Sequence, residues 1–304
     1  MGELESGLAA FGMYPVTAVE LAGDASRRRF FRVTLASGGT VVAAVYPAAL
    51  AGAARADHAV QVWGDRHGLP IPRPLGWSGL VVASEDLGDE DLEKAMARGA
   101  SVVEPALDAL AAFQRCEWSD LPTPPFDAAF FRRELAVFEA HALPTELRAH
   151  RGVRRFLDEL AEGVARHPYR LVHRDFHLNN LLLVDGRVRA VDYQDMRGGP
   201  DTYDVASLLR ERGGAALPDQ AGTLARAAAS FGWEPGWERR YLECAAQRGL
   251  KVTGTFLTLA AAGRPSYLRW LAAVCAQTEE ALRALGAPEE LGRALPTPPG
   301  GGGL

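Results

Sequence analysis

The chain has 304 residues, of which 48% are hydrophobic, and it carries a formal net charge of -5 at pH 7. This length and apolar content suffice to bury the core of one large domain or of two lobes, which excludes a small binding module. The negative net charge argues against a general nucleic-acid or anionic-membrane surface, because those partners select basic patches. Binding to a polyanion is therefore not expected.

The cysteines and the apolar runs indicate the compartment. Cys116, Cys244 and Cys275 are odd in number and far apart, which suits reduced thiols that are buried as small hydrophobes. The N-terminal segment lacks a basic region, and no uninterrupted apolar run of about 18 residues occurs in the chain. We expect a cytoplasmic protein without a membrane partner, and we favour a monomer.

The first part of the chain predicts a small antiparallel sheet. Short β-rich runs are separated by glycine-containing turns, as in a meander. These runs are residues 16–22, 30–35 and 40–46. Residues 51–67 have a helical composition and would form the only helix of this part. After an extended path over residues 68–74, residues 80–84 predict a buried strand.

The remainder of the chain predicts mainly helices. Its helical segments are broken by stretches rich in proline and glycine. They are residues 104–114, 130–141, 153–167, 222–231, 237–259 and 267–285. The glycine-rich tail over residues 296–304 is expected to be disordered. The fold class is therefore α+β, with a small antiparallel sheet before a larger helical region.

Residues 172–204 contain the polar side chains that phosphoryl transfer needs. Asp175 lies in the turn after a short apolar strand, where a carboxylate meets a substrate hydroxyl as a catalytic base. The apolar runs 181–184 and 188–191 flank the turn signal Asp185-Gly186 and predict a hairpin. That hairpin would fold Asp192 back beside Asn180. An amide oxygen and a carboxylate at two strand ends suit Mg²⁺ that bridges nucleotide phosphates.

Two other interpretations of this segment remain open. His173, Asp175 and His177 alternate, and on a strand they would share one face, as in the transition-metal site of a hydrolase or at a polar edge. A polar network without chemistry is the second alternative. Both leave the joint spacing of Asp175, Asn180 and Asp192 unexplained, which favours phosphoryl transfer.

The run from His173-Arg174-Asp175 to Asn180 resembles the catalytic loop of the aminoglycoside phosphotransferase-like kinases, distant relatives of protein kinases, and Asp192 resembles their metal-binding aspartate. Within that family the chain is most similar to the kinases that phosphorylate N-acetylmuramate and N-acetylglucosamine at the anomeric hydroxyl. Further segments carry this closer resemblance, which covers nearly the whole chain. They are residues 23–33, 85–88, 203–209, 247–250 and 267–268.

The resemblance implies a protein-kinase-like fold with lobes over residues 1–87 and 88–295, a hinge at residues 84–88, and ATP and Mg²⁺ as cofactors. Backbone groups of Glu85 and Leu87 would then hold adenine. Apolar walls of the adenine pocket would come from three side chains that could equally belong to the core. These are Val42, Val82 and Leu182.

A short turn between the first two predicted strands is expected to bind nucleotide. Its residues are Gly23, Asp24, Ala25 and Ser26. Their backbone N–H groups would wrap a phosphate, and Ser26 would donate its hydroxyl. Turns of this composition are also common as plain hairpin connections.

The third predicted strand lacks the lysine by which kinases usually neutralise the α- and β-phosphates. It consists of TVVAAVY, and the only lysines of the chain are Lys94 and Lys251, outside the sheet. The amino-sugar kinases that the chain resembles also tend to lack this lysine. On an alternating strand only part of the nearby arginine set reaches the cleft, and we expect Arg28 to do so. The set comprises Arg27, Arg28, Arg29 and Arg32, each of which could instead belong to a solvated face.

Three more polar residues near the predicted base have expected roles. His173 is expected to pack and hydrogen-bond the loop, and Asp204 to brace the loop backbone from the start of a helix. Asp195 would contact the sugar, the transferred phosphate or a metal-bound water, or it is a simple turn acid.

The charge of the segment expected to help build the acceptor pocket bears on the substrate. Between residues 239 and 270, Glu243 is the only carboxylate among several cations. The cations are Arg239, Arg240, Arg248, Lys251, Arg264 and Arg269. A neutral or anionic acceptor fits this charge better than a polycationic aminoglycoside.

Three functions remain open. The first is an ATP-dependent sugar kinase that acts on the anomeric hydroxyl of N-acetylmuramate or N-acetylglucosamine. The second is a kinase for another small alcohol, such as an aminoglycoside, a choline-like compound or another hexose. The third is a non-catalytic nucleotide-binding module, against which the joint presence of Asp175, Asn180 and Asp192 speaks.

Overall fold

The computed structural model describes residues 2–21 and 28–296. Its N-terminal part is a five-stranded antiparallel sheet with helices packed on it. These elements are α1 (Gly2–Ala9), β1 (Pro15–Leu21), β2 (Arg29–Leu35), β3 (Thr40–Val45), α2 (Ala51–Arg66), β4 (Pro74–Ser78) and β5 (Val81–Glu85). The strands are ordered β1-β2-β3-β5-β4. The predicted strands and the mixed α+β class are confirmed.

Side-chain alternation along β3 gives the sheet two different apolar faces. Val41 points to one face and packs in a cluster with Leu8 of α1. Ala44 points to the other face and packs in a cluster with Ala54 of α2 and with Val82 of β5. The face that carries Ala44 also borders the cleft toward the rest of the chain.

The expectation of a single helix in this region is wrong, because α1 precedes the sheet. With 8 residues, α1 is too short to be stable alone, and it depends on docking Leu4 and Leu8 onto the sheet. Strand β4 was also not predicted, since Pro74 and Gly76 have low β propensity. It forms by pairing with β5, and a Cβ at Gly76 would lie only 2.7 Å from the ring of Phe11.

Helices dominate the remainder of the chain, as predicted. They are α3 (Leu92–Ala97), α4 (Val103–Arg115), α5 (Ala128–His141), α6 (Thr145–Arg148), α7 (Arg151–Val164), α8 (Tyr203–Arg210), α9 (Gln220–Phe231), α10 (Trp237–Ala261), α11 (Leu271–Ala284) and α12 (Glu289–Arg293). The segment predicted as one helix over residues 267–285 begins instead with a 3-10 turn, Pro265–Trp270, before α11. The short helices α3, α6 and α12 carry too little periodicity to be predicted.

Two short antiparallel ladders interrupt the helices and position the candidate site. Their strands are β6 (Tyr169–Val172), β7 (Leu181–Val184), β8 (Arg187–Ala190) and β9 (Arg197–Pro200). The predicted hairpin of β7 and β8 is confirmed, and its turn residues Asp185 and Gly186 have positive φ angles of 49° and 75°. Strand β9, which pairs with β6, was not predicted because it lacks β-branched and aromatic residues. Its Gly198 instead admits the ring of Trp118, 2.2 Å from where a Cβ would lie.

Helix α10 lies at the centre of the helical part and packs against α5, α8 and α11. A Cβ at Gly254 would lie 2.6 Å from the backbone nitrogen of Phe138 on α5. The close approach of α10 and α5 therefore depends on a residue without a side chain.

Helix α10 has 25 residues. Nevertheless, no helix within residues 2–21 and 28–296 combines the length and the apolarity that crossing a membrane requires.

We expect Gly254→Ala to lower the free energy of unfolding by about 1–3 kcal/mol, because the new methyl group overpacks a backbone contact that cannot yield. Gly52→Ala on α2, where a Cβ would meet nothing within 4 Å, should stabilise the protein by about 1 kcal/mol through helix propensity. Urea denaturation of both variants measures the difference. Equal stabilisation by both would contradict the close approach.

Candidate active site

A cavity of about 530 Å³ lies between the sheet and the helical part. Residues from both sides line it, including the predicted walls Val42, Val82 and Leu182. The predicted base Asp175 and the predicted metal ligands Asn180 and Asp192 also line it. The structure therefore brings these three polar residues to one cavity, while their chemical roles stay predictions.

Asp204, at the start of α8, fixes the loop that carries Asp175. The buried carboxylate of Asp204 accepts hydrogen bonds from the backbone N–H groups of His173, at 2.6 Å, and Arg174, at 2.9 Å. Burial raises the pKa of Asp204 to about 7, against the opposing effect of these N–H groups. The buried ring of His173 packs edge-on against Phe113 and Phe176. The packing predicted for His173 and the bracing of the loop backbone predicted for Asp204 are confirmed.

The Asp175 carboxylate is surrounded by cations. Oδ1 of Asp175 lies 3.3 Å from Nζ of Lys251 and 3.3 Å from Nη2 of Arg248. Burial by itself would raise the pKa of Asp175, but the charges of Lys251, Arg174 and Arg248 hold it well below its ordinary value. Asp175 is therefore ionised at neutral pH.

Arg248 lies behind this loop, which corrects its expected place in the acceptor pocket. Its side chain is fully buried and donates to Glu211 at 2.6 Å and to the backbone carbonyl of Arg174. The guanidinium also lies over the ring of Tyr203, 4.3 Å from its centroid. Arg248 thus ties α10 to the loop instead of facing a substrate.

Asn180 and Asp192 fit a magnesium ion in the chemistry of their donors. The side-chain amide of Asn180 donates to the carbonyl of Asp175 at 3.0 Å, which leaves its oxygen free to act as a ligand. A hydrogen bond from the Val191 N–H to the Asn180 carbonyl, at 2.8 Å, brings the end of β8 alongside Asn180. Asp192 follows in a left-handed conformation with φ 64°. An amide oxygen and a carboxylate at neighbouring strand ends are hard ligands of the kind that Mg²⁺ prefers.

The transition-metal alternative finds no support. Within the part of the chain that the structure describes, no group of three or more His, Cys, Asp or Glu side chains is placed to hold a metal ion. His173 and His177 are both buried, and burial lowers the pKa of each. His177 is neutral at neutral pH as a result.

The predicted hinge residues Glu85 and Leu87 line the cavity. The N–H of Glu85 donates to the Arg73 carbonyl at 3.0 Å, which limits the contribution of Glu85 to adenine binding to its carbonyl. Arg32, one of the candidate phosphate cations, also lines the cavity. Its guanidinium binds the carboxylate of Asp86 at 2.7 Å and ties β2 to the predicted hinge.

The other predicted nucleotide-binding residues divide into several groups. Gly23, Asp24, Ala25 and Ser26 lie outside the described residues, as does Arg27. Arg29 is exposed and pairs with Glu20 at 2.7 Å. Arg28 lines the cavity, and its Nη2 lies 3.0 Å from Oδ1 of Asp192.

Asp195 lies beside the cavity, and its carboxylate is bound by Arg174 at 2.8 Å and by Arg197 at 3.1 Å. Asp195 itself is not one of the described residues that line the cavity. These two arginine contacts hold the Asp195 carboxylate to the loop. The expected contact of Asp195 with a substrate stays a prediction.

Of the cations between residues 239 and 270 that were expected to help build the acceptor pocket, Lys251 is the one that lines the cavity among the described residues. The cavity also contains Arg212, whose guanidinium lies 5.6 Å from the ring centroid of Tyr267. Arg239 and Arg240 pair elsewhere, with Glu243 at 2.8 Å and Asp201 at 2.7 Å. Sequence reasoning missed Arg212, because it follows α8 in a short 3-10 helix, Arg212–Ala216, whose sequence carries no pattern.

The sheet, the helical part and the loop around Asp175 are arranged as in a kinase of small molecules, which is the class that the fold and the site define. Residues 17–242 match the model of the phosphotransferase enzyme family, and the chain belongs to that family. Kinases of this family use ATP.

Two similar proteins bear the name N-acetylmuramate/N-acetylglucosamine kinase. The protein of Pseudomonas aeruginosa is 35% identical over 155 residues, which cover 47% of this chain and 45% of that protein. The protein of Neisseria meningitidis is 28% identical over 218 residues, which cover 66% of this chain and 64% of that protein. The chain thus spans less than two thirds of the length of these relatives.

Solved structures show the same fold at low sequence identity. A thermostable mutant of aminoglycoside phosphotransferase APH(4)-Ia, in complex with ADP and hygromycin B, matches with a TM-score of 0.62 and 19% identity over 92% of this chain and 98% of that one. Amicoumacin kinase hAmiN, in complex with AMP-PNP, Ca²⁺ and Ami, matches with a TM-score of 0.64 and 14% identity over 86% and 90%. The predicted family resemblance and kinase-like fold are confirmed.

We expect Asp175→Asn to lower kcat by about 100- to 10,000-fold, because the amide cannot accept a proton from the acceptor. The affinity for nucleotide should stay near the wild-type value. Steady-state kinetics and a fluorescence titration with an ATP analogue measure the two quantities. Asp158→Asn, which changes an exposed carboxylate on α7, is the matched control. A wild-type kcat in the Asp175 variant would show that this residue is not the base.

Proposed function

We propose that this protein is an ATP-dependent sugar kinase that phosphorylates the anomeric hydroxyl of an N-acetylated amino sugar, N-acetylmuramate or N-acetylglucosamine. The observation that carries the proposal is the ionised Asp175 at a cavity lined by the cations Lys251 and Arg212. The two partial relatives named N-acetylmuramate/N-acetylglucosamine kinase support the same substrate class. The proposed cytoplasmic location and monomeric state stay predictions.

The Asp175 carboxylate would orient the acceptor hydroxyl and accept its proton. Its pKa is held low by Lys251 and the two neighbouring arginines, against the effect of burial, so it is a weak base. A hemiacetal hydroxyl is more acidic than an ordinary alcohol, and a weak base therefore suffices to take its proton. The low pKa of Asp175 thus suits an anomeric acceptor, and the choice of that hydroxyl rests on the two named relatives.

The phosphoryl group would be transferred mainly by positioning and charge stabilisation. Asn180 and Asp192 would hold Mg²⁺, which when bound neutralises charge on the β- and γ-phosphates. Lys251, 3.3 Å from Asp175, is close enough to stabilise the charge that develops between the acceptor and the phosphoryl group. The carbonyl of Glu85 and the backbone of Leu87 would bind adenine at the other end of the cavity.

The walls near Asp175 suit an acetylated sugar. Phe256 and Tyr267 both line the cavity and pack on each other with ring centroids 5.7 Å apart. Such aromatic faces bind the apolar side of a sugar ring and an acetyl methyl group. The Lys251 ammonium would donate to the carboxylate of the lactyl group of N-acetylmuramate, whereas a polycationic aminoglycoside would meet repulsion there.

A kinase for another small alcohol remains the second candidate, because structures with different named ligands share this fold. A non-catalytic module is the third. A panel of acceptors distinguishes both of these candidates from the anomeric sugar kinase.

We expect purified protein with Mg²⁺ and ATP to phosphorylate N-acetylmuramate and N-acetylglucosamine, and to leave hygromycin B and choline unphosphorylated. Phosphorus NMR of the product should show an anomeric phosphate, which mild acid hydrolyses, whereas primary phosphate esters survive. The Asp175→Asn protein is the blank. An acid-stable product, or preference for the cationic acceptors, would refute the anomeric kinase, and no turnover on any acceptor would favour the non-catalytic module.

A further inference from the structure

The cavity-facing side of β3 has no cation where kinase-type enzymes carry one. In protein kinases a lysine on the third strand binds the phosphates and pairs with a glutamate on the nearby helix. The side chains of β3 that face the cavity here are Val42 and Ala44, and Tyr46 follows them. Helix α2 nevertheless presents a carboxylate, Asp57, to the same cavity. One half of the pair is therefore present and the other half is missing from its strand.

Arg28, directly before β2, occupies the place next to that carboxylate. Its Nη1 lies 3.0 Å from Oδ2 of Asp57, and the side chain is only 13% exposed. The Tyr46 hydroxyl donates to the same Asp57 oxygen. The guanidinium also lies 5.2 Å from the ring centroid of Phe30 and 5.8 Å from that of Tyr46. Asp57 and the two rings hold the guanidinium in one orientation.

The other end of the same guanidinium faces the predicted metal site. Its Nη2 lies 3.0 Å from Oδ1 of Asp192, which also accepts a hydrogen bond from Gln194 at 2.9 Å. A divalent cation on Asp192 would repel the guanidinium and compete for the same carboxylate. Phosphate oxygens beside that cation would in turn attract the freed Nη2, since the planar fork of arginine suits phosphate.

We infer that Arg28 supplies the phosphate-neutralising charge that kinase-type enzymes take from the lysine on β3, with Asp57 as its positioning partner. Nη1 stays on Asp57 throughout, and Nη2 exchanges Asp192 for phosphate oxygens when the nucleotide binds. The inference rests on the proposed kinase activity but not on the identity of the sugar. It assigns Asp57 a role that no sequence pattern indicated.

Nucleotide binding tests the role of Arg28 without any acceptor. Calorimetric titration of Arg28→Ala should show ADP affinity lower by about 10- to 100-fold, because a charge-assisted contact to phosphate is lost. Adenosine, which has no phosphate, should bind as to the wild type, and this also shows that the variant is folded. Arg29→Ala, an exposed neighbour paired with Glu20, is the matched control and should bind ADP normally. Unchanged ADP affinity in Arg28→Ala would overturn the inference.

A strand-to-strand exchange of the cation gives the sharper test. Ala44 pairs with Phe30 across β2 and β3 and shares its cluster with Ala54, one helical turn before Asp57. A lysine at position 44 would therefore project toward Asp57. The double variant Arg28→Ala/Ala44→Lys should recover at least about 10-fold of the lost ADP affinity. No recovery in a double variant that still binds adenosine would overturn the inference that Arg28 replaces the charge of the β3 lysine.

Two further measurements test Asp57 and the exchange at Asp192. Asp57→Asn should weaken ADP binding in the wild-type background but not in the Arg28→Ala background, because its effect passes through Arg28. Mn²⁺ without nucleotide, followed by electron paramagnetic resonance, should bind Arg28→Ala more tightly than wild type, since the competing guanidinium is gone. Additive losses for Asp57, or equal Mn²⁺ affinity, would overturn the corresponding part of the inference.

Discussion

The buried guanidinium of Arg248 is the contact on which the arrangement of the candidate site depends. It joins α10 to Glu211 at 2.6 Å and to the backbone of the loop that carries Asp175. A buried charge that loses one partner costs about 3–5 kcal/mol, so the segments that meet at Arg248 cannot separate independently. Asp204 fixes the same loop from α8 through two backbone N–H groups. The position of Asp175 is thus set by helices that follow it in the chain.

The cavity contains two pairs of opposite charge, one at each end. At the acceptor end, Lys251 and Asp175 lie 3.3 Å apart, and the neighbouring cations keep the carboxylate ionised despite burial. At the phosphate end, Arg28 and Asp192 lie 3.0 Å apart. Each pair places a cation beside the carboxylate with a proposed chemical role, in a region where water is partly excluded and charges act strongly. Such preorganised charge is what the transfer of a phosphoryl group requires of a protein.

Local pattern was sufficient to predict the hairpin β7-β8, and with it the approach of Asp192 to Asn180, because a two-residue turn fixes the register of both strands. It was not sufficient for β9, which forms only because β6 and the ring of Trp118 accept its glycines. The place of Arg248 was also out of reach. A count of charges along α10 does not tell which of them face the core, and the middle of this helix is buried on nearly every side. The pairing of Arg28 with Asp57 on α2 could not be predicted either, because it depends on how two elements distant in sequence pack together.

The pH dependence of kcat/KM for the acceptor tests most directly the claim that Asp175 acts as an ionised base among cations. Because these cations lower its pKa, the active form should persist on the acid side, and kcat/KM should not fall between about pH 7 and about pH 5. Lys251→Met removes one cation and raises the pKa of Asp175, so its acid limb should lie at higher pH than that of the wild type. An acid limb near neutral pH in the wild type, or the same limb in both proteins, would contradict the account.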